Sequence, residues 1–122
     1  MIRPLAAITA TLLLLSFPAA AQDAEEGEPF CIDTRRIDRT TVIDNQTILV
    51  EMVGRDDFRK ITLSSRCPGL KIAGGFSYET RLAKLCRTEI IRPVQEPLAA
   101  PCAIDSIAAI SPEEAEALRQ QR

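Results

Sequence analysis

Apolar and polar positions divide this chain into three zones. Leu5–Phe17 is an almost unbroken apolar run, Gln22–Pro29 is polar and acidic, and from Phe30 onward short apolar stretches alternate with polar turns. In the third zone, Ile37–Ile43 is rich in β-branched residues, and Asp44-Asn45-Gln46 follows with side chains that satisfy turn backbone. Thr47–Val53 then alternates, setting Ile48, Val50 and Met52 on one face and Leu49, Glu51 and Val53 on the other. Both faces are partly apolar, so this strand is expected at the centre of a sheet, in a hairpin with Ile37–Ile43. Gly54-Arg55-Asp56-Asp57 makes a second turn and Phe58–Ser64 a third strand, which completes a meander.

Ser65–Gly75 breaks the pattern. Cys67-Pro68-Gly69-Leu70 cannot sit in a central strand, because Pro lacks a donor and Gly lacks a packing side chain. Gly74-Gly75 marks another turn. Phe76–Thr80 reads as a short strand and Arg81–Cys86 as a turn or one helical coil. Thr88–Val94 reads as a strand that Pro93 confines to an edge or brings to an end. Gln95–Pro101 is a connector, and Cys102–Ile110 a closing strand.

Ser111-Pro112-Glu113-Glu114 is a helix start: Ser caps, Pro suits the first turn, and Glu114 stands three residues on to complete a capping box. The helix should run over about 112–120 with Ala115 and Leu118 facing inward. The sum is a mainly β fold: a small antiparallel barrel or curled sheet of five to six strands, two disulfides and a short C-terminal helix.

The first zone changes the setting. Arg3, the apolar run and Ala19-Ala20-Ala21 before Gln22 form a secretory signal, expected to be cleaved after residue 21. At about 13 residues the run is shorter than the roughly 20 that a spanning helix needs, which disfavours a retained anchor. No Cys follows it to carry a lipid. The expected division is therefore 1–21 signal, 22–29 flexible acidic lead-in and 30–122 one domain, periplasmic or secreted, with no membrane span in the mature form.

Charge then narrows the partners. The full chain carries 15 Lys+Arg against 17 Asp+Glu, and its formal net charge is −2. This mild acidity gives no reason to bind nucleic acid.

Four cysteines, Cys31, Cys67, Cys86 and Cys102, follow the signal. An even count in a small exported domain reads as two disulfides, and three pairings are possible. Cys31–Cys102 with Cys67–Cys86 is favoured, because the first bond would tie the domain ends together and the second would close the irregular centre. No Cys-x-x-Cys pair and no His accompany them, so metal ligation is not expected, nor is a Cys or Ser nucleophile with a His base. No cofactor is implied.

The remaining chemistry is sparse. Arg35-Arg36 with Arg39 is the densest basic patch; in a strand Arg35 and Arg36 would point to opposite faces and could not share one anion without a bulge, and a phosphate or carboxylate contact by Arg36 and Arg39 is the functional alternative. The simpler account is a charged strand edge that resists aggregation. Asp56-Asp57 and Glu113-Glu114 are explained by their turn and helix start. Gly74-Gly75 lacks a phosphate-loop pattern, and Asn45-Gln46-Thr47 fits a glycosylation acceptor in an exposed turn.

Several ordered motifs together resemble a known family. They are Phe30-Cys31-Ile32, Arg35-Arg36-Ile37, Val42 to Leu49, Cys67-Pro68-Gly69-Leu70, Leu85-Cys86, Ile90-Ile91, Cys102 and Ser111-Pro112-Glu113-Glu114. The chain resembles a domain-of-unknown-function family of small exported proteobacterial proteins. Where that family often has Gly after the last Cys, this chain has Ala103. The resemblance implies an exported domain with recurrent cysteines, and it brings no activity, ligand or catalytic residue.

The expected function is thus a non-enzymatic binding module of the bacterial envelope, with an envelope protein as its partner. One alternative is a small carboxylate/arginine hydrolase or lyase drawing on Asp33, Asp38, Asp44, Asp56 and Asp57. Another is a purely structural envelope protein.

Overall fold

The computed structural model describes residues 31–80, 82–95 and 100–122. The signal and lead-in readings, and part of the 95–101 connector, lie outside the described residues.

The meander forms as its alternation demands. β2 (Ile37–Val42), β3 (Thr47–Met52) and β4 (Phe58–Leu63) pair antiparallel in sequence order. β8 (Cys102–Ile110) then lies against β4, and β7 (Ile90–Pro93) and β5 (Phe76–Tyr78) follow, so that one curled, half-barrel sheet runs β2-β3-β4-β8-β7-β5. A separate pair joins β1 (Cys31–Asp33) to β6 (Lys84–Cys86). Leu82–Ala83 form the expected turn, and Lys84–Cys86 then pair as a strand, which the turn-or-coil reading lacked. Pro93 ends β7 without placing it at an edge, because β5 pairs beyond it.

The two-sided pattern of β3 builds two cores. Ile48, Val50 and Met52 join Ile61, Leu63, Ile104 and Ile107 under the β1–β6 pair, which contributes Ile32 and Leu85. Leu49, on the opposite face, packs with Ile43 and Ala115 of the C-terminal helix α2 (Pro112–Gln120). Leu118 is partly buried beside them, so both residues expected to face inward do so. At α2, the Glu114 backbone N–H donates to Ser111 Oγ at 3.1 Å, the capping bond expected from Ser-Pro-Glu-Glu.

The irregular segment holds a short helix, α1 (Leu70–Ala73), flanked by Gly69 and Gly74 at φ +85° and +72°. Only glycine adopts that left-handed backbone without a steric penalty, so the pair fixes both ends of the turn. Leu70 is fully buried in the larger core. Ala103 sits within β8, opposite Ile90, so no turn follows Cys102.

Both disulfides form, with partners exchanged relative to the sequence expectation. Cys31 bonds Cys86 and Cys67 bonds Cys102. The first follows from β6, whose antiparallel register sets Cys86 directly opposite Cys31. The second follows from β8 beside β4: Leu63 pairs with Ile104, and Ser64 N–H donates to Ala103 O at 2.9 Å. The chain leaving β4 thereby carries Cys67 beside Cys102. With sequence separations of 55 and 35, each crosslink removes about 4 kcal/mol of unfolded-state entropy in the chain-entropy account.

Candidate functional site

The five aspartates named for the alternative hydrolase or lyase are each held by a local partner or face solvent. Asp33 accepts the Arg35 backbone N–H and pairs with its guanidinium, while Asp44 accepts the Gln46 N–H at 2.7 Å in its own turn. Asp57 pairs with Arg59, and Asp38 and Asp56 are exposed. Among the described residues, no three His, Cys, Asp or Glu side chains group in a metal-binding arrangement.

The basic patch resolves differently. Thr34–Arg36 forms a 3-10 turn, not a strand, so the opposite-face argument for Arg35 and Arg36 does not apply. Arg36 Nη2 donates to Val53 O at 3.4 Å at the start of β2. Arg35 donates to Asp33, which holds that carboxyl below its ordinary range. Of the three, Arg39 lines a concavity.

That concavity is an open groove of about 420 Å³ lined by Arg39, Thr40, Thr41, Val42, Lys71, Gly74 and Arg122. It follows β2, which has no strand on its outer side among the described residues. Three basic residues line it from three places in the fold: Arg39 from β2, Lys71 from α1, and Arg122 from the segment after α2. Sequence reasoning missed Lys71 and Arg122, which lie far from Arg39 along the chain and show no local motif.

Local structure explains how Arg39 and Lys71 are held. Arg39 projects toward the α2 face, where Glu51 accepts from Arg119 at 2.7 Å and lies 3.9 Å from Arg39. Arg39 remains 73% exposed, so its pairing is loose. Lys71 is placed by Asn45, whose Oδ1 accepts the Lys71 N–H at 2.8 Å and whose carbonyl accepts the Cys67 N–H at 2.6 Å. Gln46 adds two bonds to the Leu63 backbone, one through its carbonyl and one through its amide. The Asp44–Gln46 turn and the Cys67–Leu70 motif therefore lock into each other, and their product is the position of Lys71. Neither Lys71 nor Arg122 pairs with a carboxylate among the described residues.

The outer edge of β2 carries backbone groups as well. Ile43 N–H donates to Thr47 O at 3.0 Å at the base of the hairpin. Antiparallel ladders alternate, so Thr41 and Arg39 exchange bonds with Leu49 and Glu51, and the amide groups of Thr40 and Val42 point outward into the groove. Lys71 Nζ lies 3.5 Å from the outward Val42 carbonyl, as that alternation requires. The arrangement offers positive charge beside a strand edge that no further strand pairs among the described residues, with Lys71 on its Val42 carbonyl.

No helix among the described residues is long and apolar enough to cross a membrane. Searches among curated proteins and among solved structures gave no match. The whole chain, residues 1–122, matches one family, and the protein belongs to the family of unknown function DUF6491.

Proposed function

We propose that this protein is an exported, non-enzymatic binding module whose ligand is anionic and docks along the outer edge of β2. One observation carries this reading. Arg39, Lys71 and Arg122 converge on a single open groove of a chain whose net charge is −2, and two of the three have no carboxylate partner among the described residues. Gathering cations against the overall charge concentrates positive potential where an acidic partner would meet it. Export is supported by the apolar start of the chain, and two disulfides suit an oxidising compartment such as the periplasm. An acidic segment of an envelope protein has the right chemistry.

The test is fluorescence anisotropy with a labelled hexaglutamate peptide and the oxidised chain at low salt. Binding that weakens with added salt, and is lost in the triple variant Arg39→Glu, Lys71→Glu, Arg122→Glu, supports the reading. Equal binding by wild type and variant, or none by either, overturns it.

A further inference from the structure

The groove has a second property beyond charge. We infer that it accepts an extended acidic segment as an added β-strand on β2, so that backbone pairing and charge recognition act together; this inference rests on the anionic-ligand reading above. β2 ends the six-stranded order, and the outward amides of Thr40 and Val42 are spaced as a strand edge spaces them; an incoming strand would take the Val42 carbonyl from Lys71 Nζ, freeing that ammonium for an acidic side chain. Strand addition to such an edge draws affinity from main-chain hydrogen bonds and selectivity from alternate side chains.

The cations are distributed to read that alternation. Arg39 shares the α2 face of the sheet with Glu51, and Arg122 follows α2 itself. Lys71 belongs to α1, whose Leu70 packs into the opposite core with Val42. A strand laid along β2 sends successive side chains to opposite faces. Two adjacent acidic residues would therefore meet Arg39 and Arg122 on one flank and Lys71 on the other. The recognised chemistry is an extended peptide with consecutive Asp or Glu, flanked by β-branched residues.

Charged groups can also serve to keep an edge unpaired. The two roles differ in one consequence: a guarded edge repels every strand, whereas a reading edge takes acidic strands and refuses basic ones.

The probe is the peptide Ac-Thr-Val-Glu-Glu-Val-Thr-amide, titrated into the oxidised chain by calorimetry. Its comparisons are the same peptide N-methylated along one backbone edge, the Lys-Lys counterpart, and hexaglutamate. Binding at least tenfold tighter than either the N-methylated or the Lys-Lys peptide supports strand addition. Thr40→Pro, which removes an outward donor at an edge position that tolerates proline, should reproduce the loss. N-methylation changes no protein residue and so keeps the test independent of folding. Equal binding of the methylated peptide overturns strand addition while leaving the anionic groove intact. Failure of both the Glu-Glu peptide and hexaglutamate to bind overturns the two readings together.

Discussion

Asn45 and Lys71 stand 26 residues apart in sequence, and the Asn45 side-chain oxygen accepts the Lys71 backbone N–H at 2.8 Å. This bond, with the Asn45 carbonyl on Cys67 N–H, joins the β2–β3 turn to the start of α1 and sets one wall of the groove. Removing the side-chain acceptor leaves the Lys71 amide to water. Asn45→Ala should cost about 1 kcal/mol in urea unfolding and weaken hexaglutamate binding several-fold, with the sheet retained by circular dichroism. An unchanged midpoint with unchanged binding would show that Lys71 is placed by other contacts.

The disulfide register has its own consequence. A non-reducing peptide map should recover Cys31 with Cys86 and Cys67 with Cys102, and no thiol should react in the folded chain. Replacing both members of either pair by Ala should destabilise by about 2–5 kcal/mol. Recovery of Cys31 joined to Cys102 would contradict the β1–β6 pairing itself.

The meander and α2 were legible because each carries a local cause. Alternation in Thr47–Val53 named the β3 residues that enter each core, apart from the exposed Val53; the Asp44-Asn45-Gln46 side chains named the first turn, and Ser111 named the cap. The β1–β6 pair was hidden for a physical reason. Its strands are three residues long, too short for a period to show, and the turn before β6 is built from Leu82 and Ala83 at φ +59° and +54°. Neither residue advertises a left-handed turn, as Asn-Gly would. Missing β6 exchanged the disulfide partners. The groove was half legible: Arg39 stood out by local charge density, whereas Lys71 and Arg122 reach it only through tertiary structure.

That turn predicts a stabilising change. Leu82 is 89% exposed and holds a backbone conformation that Asn tolerates better than Leu. Leu82→Asn should raise stability by about 0.5–1 kcal/mol, read as a higher urea midpoint. A lowered midpoint would mean that the Leu82 side chain contributes packing in the folded state.

Asp33 supplies the pH dependence. Its hydrogen bonds from the Arg35 side chain, and then from the Arg35 backbone, depress its pKa in the folded state. The folded protein therefore binds this proton less readily than the unfolded chain. The associated stability is present above the unfolded pKa and is lost as pH falls through the folded one. An NMR titration should place the Asp33 carboxyl below the ordinary aspartate range, and Arg35→Ala should move it upward. No movement would detach Asp33 from Arg35 in solution.

The most direct measurement for the groove is amide chemical-shift mapping of the oxidised, ¹⁵N-labelled chain during titration with hexaglutamate. Saturable shifts should concentrate at Arg39 to Val42, Lys71, Gly74 and Arg122. Shifts centred on Arg35, Arg36 and Val53, or scattered over the surface without saturation, would contradict it.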